Sequence, residues 1–360
     1  MKRLLAAVLL LPLTISAQTA TTPAAPPASL PGAKWQQLVA PEKSGWSAEG
    51  LAAVTRELNT IGSTSALIVQ HGVIVAAWGD ITHRSNLHSC RKSFASALIG
   101  IQAAQGKINL DQTLAQLNID DLPPSLTPAE KQATVRELLQ ARSGVYHDAA
   151  YETAGMKAKR PARGSHPHGA FWYYNNWDFN VLGHLYEQAA GKSIFQGFYD
   201  SIAQPIGMQD FTPRNGHYVS EPTSRYPAYL FDFSARDFAR FGLLFLHHGN
   251  WQGRQIVPAD WVRQSTTPYS DTPSGGYGYL WWTADSASGA PAQVRFPAGS
   301  FWAEGHLGQY ALVIPSLDMV IVNRVDPALT TKEVSKTQMA HLVQTILAAA
   351  PAAPATKPAP

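Results

Sequence analysis

Two β-hairpin patterns near opposite ends of the chain constrain its fold most strongly. In the first, the apolar runs 66–69 and 73–78 flank a short turn that contains Gly72. In the second, the apolar runs 309–314 and 319–323 flank a turn that begins with Pro315. Apolar runs of this length around a glycine or proline turn are typical of paired antiparallel strands. Because helical patterns fill most of the chain between the hairpins, the sequence predicts one α/β domain built from both ends, with a helical domain inserted.

Helical periodicity predicts the other elements. Residues 47–58 place Leu51, Val54 and Leu58 on one helical face, with Ser47 as the N-cap. Residues 89–105 form an apolar helix that ends at Gly106. The remaining predictions are helices over 135–140, 180–190, 194–201, 235–247 and 331–349, and a strand over 277–283.

The predicted fold class is α/β (α+β): an antiparallel β-sheet flanked by N- and C-terminal helices, with an inserted, mostly helical domain. The α/β domain is discontinuous over 34–110 and 269–349, and the helical domain spans 111–268. Residues 18–33 are rich in Ala, Thr and Pro and predict a flexible spacer, and residues 350–360 predict a disordered tail. We expect a functional site in the cleft between the two domains.

The first 17 residues have the pattern of a signal peptide. Lys2 and Arg3 precede an apolar run to Ile15, which is too short to span a bilayer with margin, and small residues follow up to Ala17. Cleavage after Ala17 predicts a periplasmic or secreted protein, and an uncleaved N-terminal anchor is the alternative. No later stretch is long and apolar enough to insert stably in a membrane after cleavage.

Composition favours a compact enzyme over a disordered chain, because 45% of residues are hydrophobic and only 15% are charged. The formal charge of +3 falls to +1 when Lys2 and Arg3 leave with a segment that holds no acidic residue. Nothing in this balance indicates a nucleic-acid partner.

Cys90 is the single cysteine, so no intrachain disulfide forms. His166 and His168 alone do not make a metal site, and we expect neither metal nor cofactor.

Ser89 and Lys92 are the first candidate catalytic pair. At the head of a helix, the Ser89 N–H lies where partial positive charge favours an oxyanion, and Lys92 lies one turn later on the same face. Serine needs a nearby base, and lysine serves as one only when burial lowers its pKa. The apolar helix that continues beyond Lys92 provides that burial. By itself the pattern also fits a capped helix with a surface lysine.

Two further segments supply candidate partners. Tyr174 lies in an aromatic run, and a phenol near an ammonium ionises more easily and can shuttle a proton. Asn176 is a candidate to hold Lys92 or a substrate carbonyl, although an aromatic core segment with one buried amide is the alternative.

The segment 306–309 supplies the third set of candidates. Gly308 allows close approach of substrate, and the Gln309 N–H is a candidate second oxyanion donor. His306 is a candidate for substrate binding or proton transfer. An ordinary loop histidine is the alternative for His306.

Together these segments resemble the serine β-lactamase and penicillin-binding-protein superfamily, and more closely its class C-like branch, which includes esterases, D-amino-acid peptidases and 6-aminohexanoate-dimer hydrolases. Ser89-x-x-Lys92, Tyr174-x-Asn176 and His306-x-Gly308 fall where such proteins carry Ser-x-x-Lys, Tyr-x-Asn and Lys/His-x-Gly. The resemblance covers roughly residues 35–348. It implies a β-lactamase/transpeptidase-like fold, acylation of Ser89, an oxyanion hole formed by the Ser89 and Gln309 N–H groups, and proton transfer by Lys92 and Tyr174.

One departure from the family bears on the substrate. Most true β-lactamases carry a lysine, which is a permanent cation that faces the substrate carboxylate, where this chain has His306. An ester or simple amide therefore fits better than a β-lactam. An apolar acyl chain would suit the aromatic residues if they line the cleft, and core packing is the alternative for them. These residues are Trp172, Tyr173, Trp177, Trp281, Trp282 and Trp302, of which Trp172 and Trp302 are the candidate substrate contacts.

The sequence thus predicts an exported serine hydrolase of small-molecule esters or amides. A D-amino-acid peptidase or weak β-lactamase remains an alternative within the enzymes, and a β-lactam or peptidoglycan-fragment binding protein remains one outside them. The oligomeric state stays open, as does the role of the basic loop formed by Lys157, Lys159, Arg160 and Arg163.

Overall fold

The computed structural model describes residues 30–351. The predicted signal peptide lies outside the described residues, as do residues 18–29 of the spacer and 352–360 of the tail. Within the described part, no helix is both long and apolar enough to cross a bilayer.

The mixed helix and sheet class is confirmed. The strands are β1 (Ser65–Gln70), β2 (Val73–Gly79), β3 (Ser85–Asn86), β4 (Gly216–Val219), β5 (Ala228–Phe233), β6 (Asn250–Trp251), β7 (Arg254–Gln255), β8 (Ser270–Thr272), β9 (Gly275–Tyr277), β10 (Trp282–Thr283), β11 (Phe301–Gly305), β12 (Gln309–Ile314) and β13 (Met319–Arg324). The α-helices are α1 (Ala48–Ile61), α2 (Arg91–Ala104), α3 (Val135–Leu139), α4 (Ala154–Lys159), α5 (Asn176–Ala190), α6 (Ile194–Phe198), α7 (Ala235–Leu246), α8 (Ala259–Ser265) and α9 (Lys336–Ala349).

The two predicted hairpins lie side by side in one antiparallel sheet. Its eight strands follow the order β2-β1-β13-β12-β11-β10-β9-β8. Strand β1 pairs with β13, and Ile68 lies opposite Ile321. The N-terminal and C-terminal parts of the chain therefore share one sheet, as the two hairpin patterns predict.

Helices cover both faces of this sheet. Helices α1 and α9 pack against each other and bury Val54 and Leu342 with Leu312 and Ile321 of the sheet. On the other face, α7 packs on β12 and β13. Gly242 permits this close approach, because a Cβ atom there would lie 2.7 Å from Cγ1 of Val320. Helix α7, which lies within the predicted helical domain 111–268, thus packs directly on the sheet.

Several predicted elements are confirmed, and others differ in their bounds. Ser47 caps α1 by accepting a hydrogen bond from the Gly50 N–H. The predicted strand 277–283 is two strands, because a turn with φ of +63° at Leu280 separates β9 from β10. Helix α5 begins at Asn176, before the predicted residue 180. Helix α9 begins only at Lys336, where Ser335 forms a capping box.

Helix α2 is anchored by a cluster of phenylalanine rings. Phe94 packs against rings from α6, β5 and α7, with centroid distances from 4.4 to 6.0 Å. These partners are Phe198, Phe231, Phe233, Phe238 and Phe241. Because every residue of α2 from Arg91 to Gln102 is buried, the start of this helix holds a fixed position between the sheet and the helical layer.

Candidate active site

Ser89 lies in a sharp bend at the start of α2. A 3₁₀ turn, His88–Cys90, precedes the α-helix, which begins at Arg91 and so two residues later than predicted. His88 has a φ of +49°, a left-handed conformation that is uncommon for a residue with a side chain. The Asn86 side chain holds this bend by accepting a hydrogen bond from the His88 N–H at 2.7 Å. The bend presents the Ser89 side chain to an adjacent cavity.

The Lys92 amine reaches the Ser89 hydroxyl, with Nζ 2.8 Å from Oγ. The lysine is only 2% exposed, and its Nζ lies 4.7 Å and 4.9 Å from the ring centroids of Tyr174 and Phe179. Burial lowers the pKa of Lys92 well below its ordinary value, and the charge of Arg91 lowers it further. An uncharged amine at this distance can accept the hydroxyl proton.

Tyr174 is the third group at this point. Its phenol is hydrogen-bonded to Ser89, and its ring stacks on Trp282 with centroids 5.6 Å apart. Burial raises the pKa of Tyr174 above its ordinary value, and the bond to Ser89 offsets only part of this effect. The expected easier ionisation of this phenol is therefore corrected, because its burial outweighs the opposing effects of the bond to Ser89 and the charge of Arg91. A phenol whose pKa is raised remains protonated near neutral pH and is suited to donate a proton.

Arg91 is a buried cation that the sequence analysis did not single out. Its guanidinium lies between the rings of Tyr151 and Tyr229, 5.5 Å and 5.3 Å from their centroids. Nη1 donates to the His88 carbonyl at 3.3 Å, while Nε and Nη2 have no partner among residues 30–351. Within the same residues, no carboxylate forms an ion pair with Arg91. Since guanidinium stays protonated in proteins, Arg91 places a fixed positive charge beside Lys92.

His306 follows β11 and lines the same cavity as Ser89. Gly305 makes this possible, because a Cβ atom there would lie 2.3 Å from the carbonyl oxygen of Leu87, just before the Ser89 bend. The His306 ring meets the His88 ring edge-on, at 5.5 Å between centroids. Burial, with a smaller effect of His306, lowers the pKa of His88 to about 4, so His88 is neutral near pH 7.

Four predicted site residues lie away from the cavity. Gln309 is fully buried, and its side chain donates to the Val325 carbonyl at 2.6 Å and accepts from Arg324 at 2.7 Å. Gly308 packs against Val334, which a Cβ atom would approach to 2.6 Å. The assignment of Gly308 to substrate approach is therefore corrected to a packing role.

The other two residues are also structural. Trp302 is fully buried on the α1/α9 side of the sheet, packs on Phe296 and donates to Glu304. Its assignment as a substrate contact is corrected. Asn176 is buried, and its amide donates to the Tyr151 carbonyl at 2.6 Å, so it supports the loop around Tyr151. Trp172, by contrast, lines the cavity.

The cavity in front of Ser89 has a volume of about 550 Å³ and a largely aromatic wall. Trp172, Tyr173, Tyr174 and Trp282 form that wall, together with charged and small residues. Of the basic loop, Lys159 lines the cavity, whereas Arg160 is paired with Asp148 and Glu152, and Arg163 with Glu130. In residues 30–351 no cluster of three or more His, Cys, Asp or Glu side chains is arranged to hold a metal ion.

Comparisons with known proteins identify the family. The family model described as Beta-lactamase matches residues 51–333. An uncharacterized protein from Alkalihalophilus pseudofirmus is 21% identical over 304 residues, which cover 74% of this chain and 85% of that protein.

Solved structures show the same fold. A candidate 6-aminohexanoate-dimer hydrolase from Bacillus anthracis superposes with a TM-score of 0.61 at 20% identity, covering 82% of this chain and 81% of that one. A penicillin-binding-protein homologue from Caulobacter crescentus gives a TM-score of 0.60 at 15% identity, over 85% and 99% of the two chains.

Removing the charge of Arg91 tests the electrostatics of this site. The rate at which a fluorophosphonate reagent modifies Ser89, followed by intact-mass spectrometry, should fall as the pH decreases through the pKa of Lys92. In Arg91→Met the repelling cation is gone, so the pKa of Lys92 rises and this fall should occur at higher pH. Arg91→Lys, which keeps a cation, should resemble the unmodified protein more closely. A profile that stays in place or moves to lower pH in Arg91→Met would contradict this account.

Proposed function

This chain belongs to the beta-lactamase family and is a serine hydrolase, and we propose that it hydrolyses carboxylic esters or simple amides through an acyl-enzyme on Ser89. The observation that carries the proposal is the 2.8 Å contact between the Ser89 hydroxyl and a buried Lys92 amine. Burial lowers the pKa of Lys92 and so makes its amine more readily available as a base, and the hydroxyl it contacts faces a cavity large enough for a small substrate.

The reaction follows from these positions. Lys92 takes the proton of Ser89, and Oγ forms a bond to the substrate carbonyl carbon, whose oxygen becomes an oxyanion. As the intermediate collapses, the bond to the leaving group breaks, and Tyr174 gives that group its proton and regains one from Lys92. Water then attacks the acyl-enzyme carbonyl with Lys92 as base, the bond to Oγ breaks, and Lys92 returns the proton to Ser89, which is restored.

The oxyanion requires two N–H donors. Ser89 supplies the first from the bend at the start of α2. We assign the second to the backbone of His306 rather than to Gln309, because His306 and Gly305 line the cavity beside Ser89 and Gln309 does not. In the third predicted motif, the backbone N–H of His306, directly after β11, is therefore the proposed oxyanion donor.

The cavity favours an uncharged, apolar acyl group. Its aromatic wall provides apolar surface, and Met156 adds a flexible side chain that adapts to different acyl groups. His306 occupies the place where β-lactamases carry a permanently charged lysine, so the clamp for a β-lactam carboxylate is missing at this position. Short-chain esters and simple amides are the substrates that this combination fits.

Export is part of the proposal and rests on the N-terminal sequence pattern. Cleavage after Ala17 would release the enzyme into the periplasm or medium. Expression of the full chain in a bacterial host, with N-terminal sequencing of the protein outside the cytoplasm, should find Gln18 as the first residue. A protein that keeps Lys2 and Arg3 and stays with the membrane would contradict cleavage.

A substrate panel tests the hydrolase proposal. Purified enzyme should turn over p-nitrophenyl acetate and butyrate repeatedly, and Ser89→Ala should abolish turnover because the nucleophile is lost. Cys90→Ala is the matched control, since this neighbouring thiol is buried and burial raises its pKa far above the range in which a thiolate forms. Full activity in Ser89→Ala would refute the assignment of the nucleophile. A single burst with a stable adduct would identify a binding protein, and faster turnover of a cephalosporin than of any ester would identify a β-lactamase.

A further inference from the structure

An ion pair forms part of the cavity wall that faces Ser89. Nζ of Lys336, the first residue of α9, lies 3.0 Å from Oε2 of Glu304 near the end of β11. Both side chains line the cavity, and about a fifth to a quarter of each is exposed. Neither residue belongs to the three motifs that the sequence analysis identified.

One tryptophan contacts each member of this pair. Oε2 of Glu304 also accepts a hydrogen bond at 3.0 Å from the indole of Trp302, which is fully buried. Nζ of Lys336 lies 4.2 Å from the ring centroid of Trp282, a cation–π distance. Strand β11 positions the backbone of Glu304, and the capping box at Ser335 positions the start of α9, so both side chains extend from fixed backbone positions.

The carboxylate lies close enough to act on the reaction centre. Among the smaller influences on Tyr174, the charge of Glu304 is one that raises the pKa of this phenol. An additional anion at this wall would add to that charge and oppose the negative oxygen that forms during acylation. Lys336 offsets Glu304, and the pair together leaves the wall without net charge.

We infer that the Glu304–Lys336 pair selects uncharged ester or amide substrates and excludes those that carry a carboxylate on the acyl group; this inference rests on the proposed function. A substrate carboxylate placed against Lys336 would also face the carboxylate of Glu304. It would lose its hydration without forming an ion pair with an unpaired cation, so its desolvation cost would not be offset. A neutral carbonyl or hydroxyl does not meet this penalty, and it can accept a hydrogen bond from the remaining N–H groups of Lys336.

The opposite role for Lys336 would be to replace the missing lysine of the third motif and bind a substrate carboxylate. The geometry favours the selective role, because the cation is already engaged by a carboxylate that a buried indole anchors. Lys159 is the other cation at the cavity, and it is exposed at the rim, where water and salt screen its charge.

Two esters with acyl chains of the same length test the inference. The first, p-nitrophenyl butyrate, is neutral, and the second, mono-p-nitrophenyl succinate, ends in a carboxylate. The quantity to measure is the ratio of kcat/KM for succinate to that for butyrate. The native enzyme should prefer butyrate. Glu304→Gln keeps the shape of the side chain and an oxygen that accepts a hydrogen bond from Lys336. Because the variant removes the carboxylate, the Lys336 cation is no longer neutralised, and the ratio should rise about tenfold or more.

Matched variants complete the experiment. Lys336→Met leaves Glu304 unopposed, and the ratio should fall below the native value. Lys192→Met removes a remote ion pair of similar length, with Asp200, and should leave the ratio unchanged. Lys159→Met should change it by less than Glu304→Gln does.

The outcomes separate the inference from the proposed function. Ester turnover that depends on Ser89, with the same ratio in Glu304→Gln as in the native enzyme, would overturn the inference alone. A native preference for succinate that Lys336→Met removes would also overturn it and would identify Lys336 as a carboxylate-binding residue. Absence of any turnover that depends on Ser89 would refute the proposed function, and the inference with it.

Discussion

A buried lysine amine in contact with a serine hydroxyl is the constraint on which the rest of the site depends. Burial of Lys92 beside the rings of Tyr174 and Phe179 lowers its pKa, and the positive charge of Arg91 lowers that pKa further. Burying both an amine and an unpaired guanidinium opposes folding. The phenylalanine cluster around Phe94 supplies apolar burial at the same helix and so keeps α2 in place.

The sheet brings the other half of the site to this amine. Pairing of β1 with β13 joins the two ends of the chain, and β12 and β11 extend the sheet until Gly305 meets the backbone before Ser89. This close approach places His306, Glu304 and the start of α9 around one cavity. The proposed nucleophile and base thus come from the turn before α2 and from the first turn of α2, while the residues proposed to select the substrate come from a strand and a helix more than half the chain away.

The parts of this architecture that depend on local pattern could be predicted from the sequence. Each hairpin consists of two apolar runs separated by turn residues. Helix α1 has a serine N-cap, and Lys92 follows Ser89 by one helical turn. The misplaced elements depend on tertiary contacts. The segment 277–283 is mostly aromatic and shows no alternation of polar and apolar residues, so its pattern does not indicate the turn at Leu280, whose N–H donates to the Leu139 carbonyl.

Side-chain roles were harder to predict for the same reason. Trp302 and Trp172 look equivalent in the sequence, but alternation along β11 buries Trp302 beneath α1 and α9, while Trp172 lies on a loop at the cavity. The sequence pattern does not distinguish Arg91 or Lys336 from ordinary surface cations, because a single cation in a sequence is usually solvated. Only the structure shows that Arg91 is enclosed by two tyrosine rings and that Lys336 meets Glu304.

Direct titration of the Lys92 amine tests the central claim. In protein labelled with ¹³C at lysine Cε, the Lys92 signal, identified by its loss in Lys92→Arg, should change with pH far below the ordinary lysine value of about 10.4. The remaining lysines serve as the internal reference in the same spectra. A Lys92 signal that titrates together with the exposed lysines would mean that the amine is charged at neutral pH, and it would contradict the role of Lys92 as the base for Ser89.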